Sequence, residues 1–285
     1  MGDVFGIRAR FDREHAAVWH ALTDPASLRA WLGADHVEVA LAENRFAFWG
    51  RRIPQGAPGR QRLLSVSPDH LGFQWVLDDR QTTVDLQLSA ADGGTSLVLR
   101  QDGLPTLDEL MSPDGRRDGR HTMHTFWPLA IGNLAELLAG RDVLPGTDFG
   151  EERATEIRVV LTIDAPASEV FASLTEPELV ERWWGYAPEI EPRVGGAVTF
   201  GGRGRVTEFD EGRVFAYAED GMVTRWELAE SDGRTTLTFV QSGFGPDELD
   251  NAAQHEAGWR GGLLELRRMH ELGAAWERAS SELPE

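Results

Sequence analysis

The chain has 285 residues, 41% of them hydrophobic and 9% aromatic, with 28 basic against 47 acidic side chains and a net charge of −19. That length accommodates two domains of ordinary size, and the acidity argues against nucleic acid, whose binding needs a basic face to displace counterions. Cysteine is absent and all 28 basic residues are arginine, which removes disulfides, thiolate chemistry, Schiff-base lysines and phosphate-binding P-loops.

In chain order, "FGIRARFD" (5–12) alternates as a first strand, and "ALTDPASLRAWLG" (21–33) reads as a helix, a Thr-acid-Pro break and a second helix tipped by Trp31. Strands with turn signals between them follow, through Phe48, "LGFQW" (71–75) and "SLVLRQDGL" (96–104), the last placing Gln101 on an inward face. A helix opened by Trp127 closes this half, and "GRDVLPGTDFGEE" (140–152) reads as a linker.

The whole pattern then recurs, since "SLTEPELVERWWG" (173–185) repeats 21–33 at an offset of 152, and "TFVQSGF" (238–244) repeats the end of the last strand. Length differences fall in Pro/Gly/Asp-rich segments, "RIPQGAPGRQ" (52–61) and "SPDGRRDG" (112–119), as loops between fixed elements would show. The expected division is a first copy at 1–140, a linker at 141–152 and a second copy at 153–285. In the second copy, Asp164 is expected to cap the first short helix and Thr175 with Glu178 to form a capping box for the next. "GGAVTFGGRGR" (195–205) reads as a strand flanked by turn glycines. A long amphipathic helix is expected from about Glu256, with Trp259, Leu263, Leu266 and Met269 on its apolar stripe. The order of strand, two short helices, antiparallel meander and one long helix predicts an α+β fold in each half, a sheet with a helix lying across it.

With "VFASLTEPELVERWWG", "TFVQSGF" and "EAGWRGGLLELRRM" in view, both halves resemble the START-like helix-grip superfamily, in particular its branch of activator of Hsp90 ATPase homologue 1-like domains. The first half matches less fully, because Phe126 replaces the Gly of the Gly-Trp pair and Pro128 follows Trp127. The resemblance implies a curved sheet gripping the long helix, with a cavity between them for an apolar or aromatic small molecule.

The candidate ligand-binding residues are Trp31, Phe48, Trp75, Gln101, His124 and Trp127 in the first copy. In the second they are Trp183, Phe200, Tyr217, Trp226, Phe239, Gln241, His255 and Trp259. Plain packing competes with cavity lining for the aromatic residues, and satisfaction by backbone competes with ligand contact for the two glutamines. The small residues of "GWRGG" (258–262) are expected to leave a more open cavity in the second copy. His121 and His124 stand three apart without a third ligand, so no metal and no cofactor is expected. Asp78, Asp79, Glu219 and Asp220 are expected to be solvated turn residues.

The leading function is non-enzymatic binding of a hydrophobic small molecule. An enzyme using the same cavity, of cyclase or hydrolase type, and an Hsp90-type chaperone cofactor are the alternatives. With no long apolar run and no signal-peptide pattern, the expectation is a cytoplasmic protein without a membrane span. The two copies are expected to pack on each other as a pseudo-dimer. The second copy carries most of the acidity, 25 acids against 13 arginines, which suits a solubilising or docking surface.

Overall fold

The structure is a computed structural model describing residues 4–106, 109–110 and 119–283. All but the last residue of the expected insertion at 112–119 lies outside the described residues. By its contacts the chain divides into a first unit, 1–153 with 253–261 and 279–285, and a second, 154–252 with 262–278.

The first unit opens with β1 (Phe5–Phe11), the short helices α1 (His15–Thr23) and α2 (Pro25–Leu32), and the hairpin β2 (His36–Ala40) and β3 (Arg45–Trp49). The strands β4 (Gln61–Ser67), β5 (His70–Leu77), β6 (Arg80–Ala91) and β7 (Gly94–Gln101) follow, and then the helix α3 (Met123–Ala139). Its main sheet is antiparallel with the order β14-β1-β7-β6-β5-β4, where β14 (Ser281–Glu282) is the C-terminal strand paired to β1.

The second unit repeats the plan with β8 (Ile157–Ile163), α4 (Ala167–Thr175), α5 (Pro177–Trp184), β9 (Ala197–Val198), β10 (Gly204–Asp210), β11 (Val214–Glu219), β12 (Met222–Ser231) and β13 (Arg234–Ser242). The long helix α6 (Leu249–Leu272) ends the pattern. The second sheet runs β8-β13-β12-β11-β10-β9. The architecture is the expected α+β one, with an antiparallel six-stranded sheet in each unit.

Alternation drives the strands. In β8, Ile157, Val159, Leu161 and Ile163 are buried while the residues between them are exposed, as a sheet with one covered face requires. Each sheet also carries a register slip in the corresponding strand. The register slips between Leu63 and Ser65 in β4 and between Val206 and Glu208 in β10, about two residues apart along the equivalent strands, and such a bulge increases local twist.

Several local expectations are corrected by competing partners. Asp164 does not cap α4. It pairs with Arg234 at 2.7 Å, and the Ala167 N–H is taken instead by Glu230 at 2.7 Å. Nor does Thr175 form a capping box, because its hydroxyl donates back to the Phe171 carbonyl and Glu176 becomes the N-cap without a side-chain bond. The first copy solves the same corner differently, with Asp24 accepting from Ser27 N at 2.8 Å. The helices start earlier than the sequence suggests. α6 begins at Leu249, so Trp259 lies well inside it, and Trp127 is likewise inside α3. The Gly-rich stretch 195–205 supplies only Ala197–Val198 as a strand before Phe200 and its glycines bend away into β10.

Candidate functional site

The two tryptophans at the helix corners have a shared structural task. Trp31 Nε1 donates to the Ala21 carbonyl at 2.9 Å and Trp183 Nε1 to the Ser173 carbonyl at 2.7 Å, each fastening the second short helix onto the first. Their indole N–H groups are thereby used within the corner. The repeated Thr-acid-Pro motif is the sequence signature of this fastening.

Inside the first unit, the inner sheet face and α3 are joined by a chain of hydrogen bonds. Trp127 Nε1 donates to Gln101 Oε1 at 2.6 Å, Gln101 Nε2 donates to Thr82 Oγ1 at 2.9 Å, and the Thr82 hydroxyl donates to the Trp75 carbonyl at 2.9 Å. Around it the rings of Phe48 and Trp75 meet edge to face at 5.1 Å and those of Trp75 and Trp127 at 6.0 Å. Such ring pairs contribute about 0.5–1.5 kcal/mol each beyond their buried area. Trp75 Nε1 and the Oε1 of Gln61, which stands directly opposite it, lack partners among the described residues. His124 lies apart from this chain, edge-on to Phe5 with Nε2 3.2 Å from the Pro105 carbonyl oxygen, and its burial lowers its pKa. Trp31 and Phe126 border a separate space of about 10 Å³, room for one water molecule.

The second unit assembles Trp183, Phe200, Tyr217, Trp226 and Phe239. Phe200 stacks on Tyr217 at 5.9 Å and lies 5.4 Å from Trp226, which in turn lies 5.7 Å from Phe239. Gln241 Nε2 donates to Thr224 Oγ1 at 3.0 Å, and Tyr217 stands directly opposite Thr224 on the neighbouring strand. Burial, with Glu219 nearby, raises the Tyr217 pKa. The expected inward register of β13 therefore holds, since Gln241 stands opposite Thr224 on the covered face. In the first copy Gln101 stands opposite Val84 and reaches Thr82 diagonally, a slip of two residues that keeps the same face inward.

Two of the expected turn acids are not solvated. Asp79 and Asp220 are exposed, but the Asp78 side chain is only 4% exposed and accepts from the backbone N–H groups of Gly119 and Arg120. Glu219 is only 8% exposed. Its carboxylate accepts from Gly202 N at 3.0 Å, and no cation pairs with it among the described residues. Burial raises its pKa, opposed by the Gly202 bond and reinforced by Asp220. Through the β5 and β11 hairpins the equivalent residue of the first copy is Leu77, fully buried. Sequence reasoning missed Glu219 because a residue beside a two-residue turn is ordinarily solvated; the available signal was its even spacing from Tyr217 on one strand face.

The glycines of α6 do not open a cavity where the sequence suggests one. A Cβ on Gly262 would meet the Trp184 ring at 2.5 Å, so the missing side chain admits an indole. Gly258 and Gly261 lie against Thr125 and Leu129 of α3, within the first unit. His255 and Trp259 belong to the same 253–261 stretch.

A family model described as activator of Hsp90 ATPase homolog 1-like protein matches residues 12–139 and again 164–271. Among solved structures, the chain is similar to DynU16, a putative protein in the dynemicin biosynthetic locus, at 17% identity over 95% of this chain and 99% of that one, with a TM-score of 0.37. It is also similar to the Aha1 dimer from Colwellia psychrerythraea, at 20% identity over 42% of this chain and 99% of that one, with a TM-score of 0.38. MLL2253 from Mesorhizobium loti matches at 22% identity over 41% of this chain and 98% of that one, with a TM-score of 0.37. The comparison with curated proteins returned no match. The chain belongs to the family of activator of Hsp90 ATPase homologue 1-like proteins, whose domain it carries twice.

Proposed function

We propose that the second copy binds a small aromatic molecule bearing a hydrogen-bond donor, held against the inner face of its sheet. The observation that carries this reading is Glu219, a buried carboxylate without a cationic partner among the described residues, at the end of an aromatic interior. Burying such a group costs free energy unless something compensates it, and a ligand donor is suited to do so. The cover at that end is the loop around Gly201 and Gly202, where a Cβ at either position would come 3.2 Å from a Glu219 oxygen. Thr224 and Gln241 supply further polar contacts along the same strands. The first copy, with Leu77 in place of Glu219 and Gln101 tied to Trp127, is read as the structural partner.

The test is titration of the full chain with N-phenyl-1-naphthylamine, an aromatic probe with one N–H donor. Saturable fluorescence enhancement is expected, weakened about tenfold or more in Glu219→Leu and Gln241→Leu, the loss expected for an unpaired polar partner. Gln101→Leu, if folded by circular dichroism, is expected to bind as wild type does. No enhancement, or equal loss in Gln101→Leu, contradicts the assignment.

One observation favours a second reading, an enzyme. A carboxyl whose pKa is raised by burial beside a phenol suits proton transfer. Time-dependent conversion of a bound ligand, abolished in Glu219→Gln, would select that reading over binding alone.

A further inference from the structure

The first unit holds a cleft of about 370 Å³, well away in character from the aromatic interiors, lined by Arg51, Arg52, Asp148, Arg260 and Glu256 together with Asp35. Most of its charges are matched. Arg51 pairs with Asp148 at 2.7 Å and Arg260 with Glu256 at 2.7 Å, and a further Arg260 N–H donates to the Pro145 carbonyl at 3.1 Å. Two exposed side chains of opposite charge make no ion pair among the described residues, although Asp35 also lies in the field of Arg51. Arg52 has no hydrogen-bonding or ionic partner among the described residues, and Asp35 accepts only the Arg51 backbone N–H, at 2.9 Å. They line one cleft without closing on each other.

Arg52 is held in place by its stem rather than by its head. The ideal Cβ positions of Gly33 and Gly146 both fall 3.3–3.4 Å from its aliphatic carbons, so the stem passes between two glycines. Gly33 has φ +73° and Gly146 has its own tight approach, so side chains at these positions would displace that stem. A buried polar atom lies beside the cleft. Thr147 is 1% exposed, its Oγ1 has no partner, and it borders the small space of about 10 Å³ that shares Arg52 and Gly146 with the cleft. A buried hydroxyl left unpaired is destabilising, and a water or ligand oxygen reaching this space would satisfy it.

We infer that this cleft is a binding site for a small zwitterion of the free amino-acid class, its carboxylate on the Arg52 guanidinium and its ammonium on the Asp35 carboxylate. A planar guanidinium matches a carboxylate in bidentate fashion, and the volume lies within the range of small-molecule sites. A simple anion would leave Asp35 facing it with like charge, and a simple cation would meet Arg52. Only a molecule carrying both charges completes both.

Isothermal titration of the full chain with the free proteinogenic L-amino acids tests this, followed by the decarboxylated amine and the deaminated acid of any that bind. At least one amino acid is expected to bind saturably, with both derivatives weaker by about tenfold or more, the loss of one charge-assisted contact. Arg52→Met keeps the packed stem, and Asp35→Asn keeps an acceptor for the Arg51 N–H. Both are expected to reduce binding by a similar factor while leaving the melting temperature in place. Absence of binding by every amino acid overturns the proposal, as does binding undiminished in both variants. A deaminated acid that binds as tightly as its amino acid also overturns it, leaving an anion site only.

Discussion

The two copies use one scaffold to bury different chemistry. In the first, the inner face ends in Leu77 and the glutamine amide is shared between Trp127 and Thr82, so the polar groups serve to tie helix to sheet. In the second, Leu77 is replaced by Glu219 and Trp75 by Tyr217, and the polar row continues through Thr224 to Gln241. The first copy also buries polar atoms without partners among the described residues, Trp75 Nε1 and Gln61 Oε1, so unpaired polarity alone does not separate the copies; what separates them is the Glu219 carboxylate, where the first copy has Leu77.

The largest expected effect breaks the structural chain of the first copy. Trp127→Ala should cost about 3–5 kcal/mol, the range for a fully buried aromatic residue, read as a lowered urea midpoint. Trp127→Phe, which chiefly removes the donor to Gln101, should cost about 1–3 kcal/mol. Tyr217→Phe removes a buried hydroxyl from the other copy and should cost less. If it cost as much, the distinction between a tie and a site would fail.

Next comes a pH dependence whose sign follows from burial. Glu219 keeps its proton to higher pH in the folded protein than in the unfolded chain, because its native pKa is raised by desolvation. The unfolded chain therefore releases this proton first, and the group's contribution to stability is lost as pH rises from the ordinary carboxylate range through the raised value. Glu219→Gln should flatten that loss, visible as a melting temperature that falls less between pH 4 and 7 than in wild type. A wild-type slope retained in the variant would show that Glu219 ionises freely.

The smallest effect contrasts the helix corners. Asp24→Ala should cost about 1 kcal/mol, the usual value of an N-cap, whereas Glu176→Ala should be near neutral because Glu176 makes no side-chain cap bond. Equal costs in thermal melts would mean that both corners are capped alike.

Much of this was legible in the sequence, and the reasons for the rest are specific. Strand alternation and the repeated helix corner identified the elements because they express burial directly, residue by residue, as in Val159, Leu161 and Ile163. The inward placing of Gln101 and Gln241 followed from the same periodicity. The cap at Asp164 is lost because Arg234 and Glu230, distant in sequence, compete for the same groups, and the one at Thr175 because its hydroxyl turns back to the Phe171 carbonyl within its own helix. Glu219 and Asp78 were misread because turn proximity says nothing about whether a glycine loop or a backbone segment will cover the turn. Gly262 looked like an opening, and only the fold shows Trp184 occupying it.

The central claim is that one copy binds and the other supports. Native mass spectrometry of the full chain with excess N-phenyl-1-naphthylamine tests it most directly, since it counts ligands per chain. The account expects a single adduct, retained in Gln101→Leu and lost in Glu219→Leu. Two adducts per chain, or a single adduct that survives in Glu219→Leu and disappears in Gln101→Leu, would contradict it.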